Sequence, residues 1–272
     1  MWMDHRAITE AQQITDSNFE FLKNFGGICS PEFSISKLAW MHKNQFDRFS
    51  KAEAFLELPD WLVWRSTQST ENSCHLFPRS MCCIGCKWAF DTEANRWSPD
   101  FFRALNVQNV SDVKRKIGEN SCAPGTFVGN LTVEAAIEMG LLSENNTNTK
   151  TVSISVSSSL IDAHSGVLAM FALHAKADCD TEQIFESVVC VIAGTSTCHM
   201  ALSKQKLFTR GVWGPYFNVI FLNSYLREAG QSAAGKLIDF LIKQHEDLRT
   251  TYKHLTYDDR FKNEQQNQFN IE

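Results

Sequence analysis

Leu160-Ile161-Asp162-Ala163-His164-Ser165-Gly166 is the stretch on which the reading of this chain turns. It closes the run from Thr151 to Leu160, which predicts the first strong strand. An apolar β run thus ends directly on a carboxylate, then an imidazole, then glycine. A carboxylate at the carboxyl end of a buried strand sits at the rim of a sheet, where open α/β folds bind ligands. There it could take a proton from a substrate hydroxyl as general base. The plainer alternative is that Asp162 caps a turn and His164 satisfies the core, and the pattern alone leaves both open.

Downstream, Val167 to His174 predicts a second strand, Lys176 to Gln183 a polar break, and Val188 to Ala193 a third strand. The third strand runs into Gly194-Thr195-Ser196-Thr197 and resumes at Met200-Ala201-Leu202. This is the pattern of a phosphate-gripping hairpin: glycine lets the backbone approach, amides point inward and hydroxyls add donors. It is not a Walker A loop, and many Gly-rich hairpins look the same.

Upstream, residues 4–24 predict a helix stopped by Gly26-Gly27. Ser30-Pro31-Glu32 opens another, with Ser30 as N-cap and Pro31 at the first helical position. Further helices are predicted from Pro59, over 100–105, 110–117 and 132–139, and over Gly235–Gln244. Residues 66–80 are expected to be an exposed loop, Pro124-Gly125 a turn and 145–149 a loop. Glu228-Ala229-Gly230-Gln231-Ser232 reads as a helix N-terminus capped by Ser232, and the polar tail from about His245 as weakly ordered. The break near 176–187 is the expected domain boundary.

The 272 residues suit one large domain or two smaller ones. With 43% hydrophobic and 21% charged residues, the composition excludes a disordered or collagen-like chain. A net charge of −5 offers no basic excess for a run of phosphates, so nucleic acid is not an expected ligand. No stretch is long and apolar enough to span a bilayer, and the start, Met1-Trp2-Met3-Asp4-His5-Arg6, has no secretory h-region. The nine cysteines are therefore expected as reduced, mostly buried side chains of a cytoplasmic protein. Cys83-x-x-Cys86 with His75 is half a zinc ligand set, which disfavours a metal site beside packing cysteines and a functional Lys87.

Taken in order, the segments resemble the FGGY family of carbohydrate kinases, in its pentulose-kinase (ribulokinase-like) branch. The matching blocks are Trp2 to Ala7, Ser30-Pro31-Glu32 with Lys37-Leu38, and Leu58 to Leu62 with Trp64-Arg65. They continue with Arg79-Ser80-Met81-Cys82 leading to Cys86-Lys87-Trp88, Leu160 to Gly166, Gly194 to Met200, Gly211 to Tyr216 and Glu228 to Ser232. The resemblance implies an α/β chain with a partial two-domain fold of the actin/hexokinase/Hsp70 (ribonuclease H-like) type. Residues 1–186 would be the remainder of an N-terminal domain and 187–272 the beginning of a C-terminal one.

It further implies transfer of the γ-phosphoryl of ATP, with Mg2+, to the terminal hydroxyl of an open-chain sugar, D-ribulose foremost. Asp162 would be the general base on that hydroxyl. Lys87 and Glu228 would hold sugar hydroxyls, Asp4 and His5 would lie near the sugar, and Gly194, Thr195 and Ser196 would belong to a phosphate hairpin. The family's first phosphate hairpin and its C-terminal adenine-binding segment have no counterpart here, and residues 167–187 depart from the usual Gly-rich sequence. A chain truncated at both ends is therefore expected, with strand edges and apolar faces exposed. An inactive fragment that persists as a sugar-binding or regulatory partner is the alternative, and assembly into a homo-oligomer is left open.

Overall fold

The computed structural model describes residues 4–67, 77–143, 150–174 and 181–245. His75, the loop at 145–149, most of the polar break at 176–183 and the tail after His245 lie outside the described residues. The chain divides into two compact units, Met1–Cys190 with Met200–Ala229, and Val191–His199 with Gly230–Glu272.

The first unit opens with α1 (Ile8–Asp16), which buries Ala11 and Ile14. The helix expected over 4–24 breaks at Asn18, where φ is +52°, and continues as a 3-10 helix over Glu20–Phe25. Gly26, at φ +68°, ends it as expected. Helix α2 (Ser34–Asn44) starts later than Ser30-Pro31 suggests. The Ser30 hydroxyl accepts from the Glu32 amide at 3.2 Å and its carbonyl from the Phe33 amide at 3.2 Å, so this segment is a turn ahead of the helix. There follow α3 (Phe46–Lys51), α4 (Leu58–Thr67), β1 (Arg79–Ser80) and α5 (Met81–Trp88). Next come β2 (Phe90–Asp91), β3 (Arg96–Trp97), α6 (Pro99–Leu105) and α7 (Val110–Ile117). Then β4 (Ser121–Cys122), β5 (Phe127–Thr132), α8 (Val133–Glu138), β6 (Thr151–Ser157), α9 (Asp162–His174) and α10 (Thr181–Ser187) complete this stretch.

Local chemistry sets several of these boundaries. Ser98 caps α6 by accepting from the Asp100 amide, with Pro99 at the first helical position, and Asn109 caps α7 through the Asp112 amide. Thr132 does the same for α8 through the Ala135 amide. Helices α2, α6 and α7 supply much of a core that includes Ile35, Phe101, Leu105 and Ile117, together with Phe25 and Phe33.

Three expectations are corrected. Val167 to His174 is helix, not strand: Val167 and Phe171, four residues apart, are the buried positions, which is helical spacing. Strand β6 ends at Ser157 and is not buried; among the described residues it pairs antiparallel with β5 alone, with Ile154 and Phe127 exposed. Arg79 and Ser80, assigned to an exposed loop, are fully buried and pair in parallel with Ser121 and Cys122.

A four-stranded sheet follows, from β7 (Val189–Ala193), β8 (Thr197–Ser203), β9 (Trp213–Phe217) and β10 (Tyr225–Gln231), in the order β7-β8-β10-β9. Glu228 therefore sits within a strand rather than at a helix start, a further correction. It lies opposite Trp213, just past a register shift between Leu226 and Glu228. In the second unit, α11 (Gly235–Gln244) follows Ala234 without a side-chain cap, so Ser232 does not cap it. This helix buries none of its residues and exposes Leu237, Ile238, Phe240 and Leu241. Among the described residues no helix is long and apolar enough to cross a membrane.

Candidate active site

Helix α5 is the spine of the site. Its last turn presents Lys87, half-buried, with Nζ 5.7 Å from the Phe33 ring centre and 5.6 Å from that of Trp213. Two aromatic faces favour a cation and restrict where the ammonium can go. Beside it opens a cleft of about 390 Å³ whose wall includes Glu32, Lys37, Glu57, Lys87 and Trp88. One Glu57 oxygen accepts from the Trp88 indole at 2.5 Å and from the Ser34 hydroxyl, so this carboxylate is held in place. Burial pushes the Lys37 ammonium below its usual range, with Lys87 adding to the effect, while Asp4, Glu57 and Glu32 pull the other way. The polar lining, flanked by indole and phenyl rings, suits a small polyhydroxylated molecule.

Asp4 and His5 belong to the same surroundings. Arg6 grips both Asp4 oxygens, with Nε at 2.9 and 3.0 Å and one terminal nitrogen at 2.6 Å. Those hydrogen bonds hold the Asp4 carboxyl well below the usual carboxylate range. The Arg6 guanidinium in turn lies 4.5 Å from the centre of the Trp40 ring. His5 is exposed, and its Nε2 lies 3.3 Å from Glu32 Oε1 in the cleft wall. Lys87 lines the cleft, His5 meets its wall through Glu32, and Asp4 acts on it only electrostatically, through Lys37.

Asp162 is the first residue of α9 and its side chain is exposed, not packed into the core. Its Oδ1 accepts from the Ala163 amide at 2.8 Å. The expected position at the end of a buried strand is corrected to a helix N-terminus, where a carboxylate is stabilised by the backbone dipoles. His164 follows the plainer alternative in being buried, but it is not inert. Its Nδ1 lies 2.9 Å from Cys82 Sγ and its Nε2 3.2 Å from Glu228 Oε2. Sequence reasoning missed this node, although Cys82, His164 and Glu228 all stood within the quoted segments. The three cysteines of α5 differ: Cys83 lies 3.7 Å from the Ser159 hydroxyl, while Cys82 and Cys86 hydrogen-bond each other. Burial pushes the thiols of Cys83 and Cys86 up. Among the described residues no group of three His, Cys, Asp or Glu side chains is arranged to hold a metal ion.

In the second unit, Gly194, Thr195 and Ser196 form the bend between β7 and β8. The Gly194 amide donates to the Ser196 carbonyl at 2.8 Å, and the Thr195 carbonyl accepts from the Ala234 amide at 3.0 Å. Among the described residues, a side chain at Gly194 would meet only the Ser196 carbonyl, at 3.9 Å.

Comparison with known proteins agrees with this architecture. Residues 1–169 match the N-terminal domain model of the FGGY family of carbohydrate kinases, and residues 189–268 its C-terminal domain model. A human FGGY carbohydrate kinase domain-containing protein is 37% identical over 90% of this chain and 42% of its own length. A D-ribulokinase of Saccharomyces cerevisiae is 33% identical over 90% of this chain and 35% of its own. The chain therefore spans about two-fifths of the length of such relatives. Among solved structures, a xylulose kinase from Rhodospirillum rubrum superposes with a TM-score of 0.65 at 14% identity, over 89% of this chain and 43% of that one. A xylulose kinase from Brucella ovis gives 0.63 at 19%, over the same shares. The fold is that of these sugar kinases, and the chain belongs to the FGGY family of carbohydrate kinases.

Proposed function

We propose that this chain binds an open-chain pentulose, D-ribulose foremost, and serves its ATP-dependent phosphorylation at the terminal hydroxyl, in a reducing cytoplasm. Residues 1–186 are read as the N-terminal domain and 187–272 as the beginning of the C-terminal one. One observation carries the reading: Lys87 on α5 and Glu228 on β10 flank Trp213, and the exposed Asp162 stands two residues before the His164 that joins those elements. Exposure leaves the Asp162 carboxylate open to a hydroxyl, whose proton it would accept as general base. Lys87 donates to sugar oxygens from a position restricted by two rings, and Glu228 accepts from sugar hydroxyls. Asp4, held by Arg6, and His5 would act from beside the cleft, through Lys37 and Glu32. Gly194, Thr195 and Ser196 would hold phosphates, and Mg-ATP, when bound, supplies the transferable phosphoryl group. Phosphoryl transfer asks mainly for positioning and charge neutralisation, which is what these groups offer.

A sugar-dependent ADP-release assay on the purified chain tests the proposal. Turnover with D-ribulose is expected, falling by roughly 10²–10⁴-fold in Asp162→Asn. An unaffected Asp162→Asn variant would remove the base from the account. A second reading, a sugar-binding partner without transfer, is favoured by the Gly194 amide, which is engaged within its own turn. That reading predicts no ADP release but retained thermal stabilisation by the ketose.

A further inference from the structure

Three side chains from separate elements meet in the interior of the first unit with no part in the chemistry above except at one end. Cys82 on α5 and His164 on α9 are essentially fully buried, and Glu228 on β10 is nearly so. The Cys82 sulfur lies 2.9 Å from His164 Nδ1, and His164 Nε2 lies 3.2 Å from a Glu228 oxygen. The same sulfur accepts from the backbone amide of Ile161, at 3.5 Å, immediately before Asp162.

We propose that His164 is a positioning residue of the pentulose site: braced by Cys82, it fixes the Glu228 carboxylate, while the same sulfur holds the residue that leads into α9. The inference rests on the function proposed above and adds a residue to it. The imidazole has a partner at each nitrogen, so its ring cannot rotate without losing a buried hydrogen bond. Glu228 stands just past a register shift in β10, the kind of irregularity that re-aims a side chain. His164 gives that carboxylate a lateral partner at 3.2 Å. Groups that orient a ligand-contacting side chain commonly matter about as much as a direct contact. A core that only needed filling would be served by an apolar side chain, without desolvating three polar groups.

The test separates orientation from filling by two near-isosteric replacements in the full chain. A Gln side chain extends far enough to keep a donor toward Glu228, whereas Asn keeps a polar group toward Cys82 but falls short of Glu228. Binding of D-ribulose is measured by calorimetry. His164→Asn is expected to raise the dissociation constant about tenfold, and His164→Gln by less than about threefold. Combining His164→Asn with Glu228→Gln is expected to cost little more than either alone. If both His164 variants weaken binding equally, or neither does, the inference is overturned while the proposed function stands. If the wild-type chain binds no ketopentose, that function falls and takes the inference with it. Should His164→Asn not fold, Cys82→Ser carries the test: about threefold weaker binding supports the brace, and an unchanged constant overturns it.

Discussion

His164 and Cys82 illustrate how burial and pairing compete at a single residue. Burial alone pushes the imidazole down and the thiol up. For Cys82 the Cys86 hydrogen bond and the His164 charge outweigh burial, and for His164 the Cys82 and Glu228 charges do, so the thiol falls and the imidazole rises. The signs of the two shifts determine a pH profile. The raised imidazole contributes stability that is complete below its ordinary value of 6.5 and is lost as pH climbs toward its folded value. The lowered thiol contributes stability that is complete above its ordinary value of 9.0 and is lost as pH falls. Between 6.5 and 9.0 the two slopes cancel, since folding then moves a proton from sulfur to imidazole without net exchange. The difference in melting temperature between wild type and His164→Gln should be flat across that window and shrink on either side. A difference that declines steadily from pH 6.5 to 9.0 would mean that Cys82 stays a thiol. None of this was legible in the sequence, because 82 positions separate the partners and only tertiary packing joins them. Arg79 and Asp60 tell the same story. Both stood within recognised segments, yet a polar surrounding stretch made Arg79 read as loop. In the fold its Nε donates to Asp60 at 2.6 Å and a terminal nitrogen donates to the carbonyls of Phe55 and Ile117, so the charge is paired inside the core.

Elements were legible where local signals agree. Helices α6, α7 and α8 carry a capping Ser, Asn or Thr ahead of an apolar period, and the structure reproduces them within a residue or two. Helix α9 was misread because Val167 to His174 is a short, almost unbroken apolar run, which fits a buried strand and a buried helix equally well. The helix runs 13 residues from Asp162, after an irregular stretch at Ser158 to Ile161. The Thr151 to Leu160 run reads as an apolar strand, but among the described residues β6 has a partner on one edge only, and most of its residues are exposed. Glycines give a sharper test of local backbone than any helix. Gly27 and Gly214 share a φ of +94°, but their surroundings differ. Among the described residues a Cβ at Gly27 meets nothing within 4 Å, whereas at Gly214 it would stand 2.2 Å from the Leu226 carbonyl across the β9–β10 pair. Gly27→Ala should therefore cost only backbone strain, about 1 kcal/mol. Gly214→Ala must also push apart two strands and should cost roughly 3 kcal/mol or more, read as a shift of the urea midpoint. Equal losses would show that the strands part freely there.

At the scale of the whole chain, the two compact units differ in how much of themselves they bury. The first holds a core of Phe25, Phe33, Ile35, Phe101, Leu105 and Ile117, each at most 1% exposed. The described residues of the second are a hairpin bend and α11, whose hydrophobic residues Ile238, Phe240 and Leu241 are each more than half exposed. Helical stability in proteins comes mainly from packing an apolar face, and ten residues are marginal without it. Opening free energy should therefore be graded along the chain. Native-state hydrogen exchange should find the amides of α2, α6 and α7 opening only with global unfolding, while those of α11 exchange with little protection. Substituting Ile238 or Leu241 by Ser should leave the melting temperature of the first unit unchanged, whereas Phe101→Ala should lower stability by about 3–5 kcal/mol. Protection of α11 equal to that of α6 would mean that its apolar face is covered in solution, which would overturn this gradient.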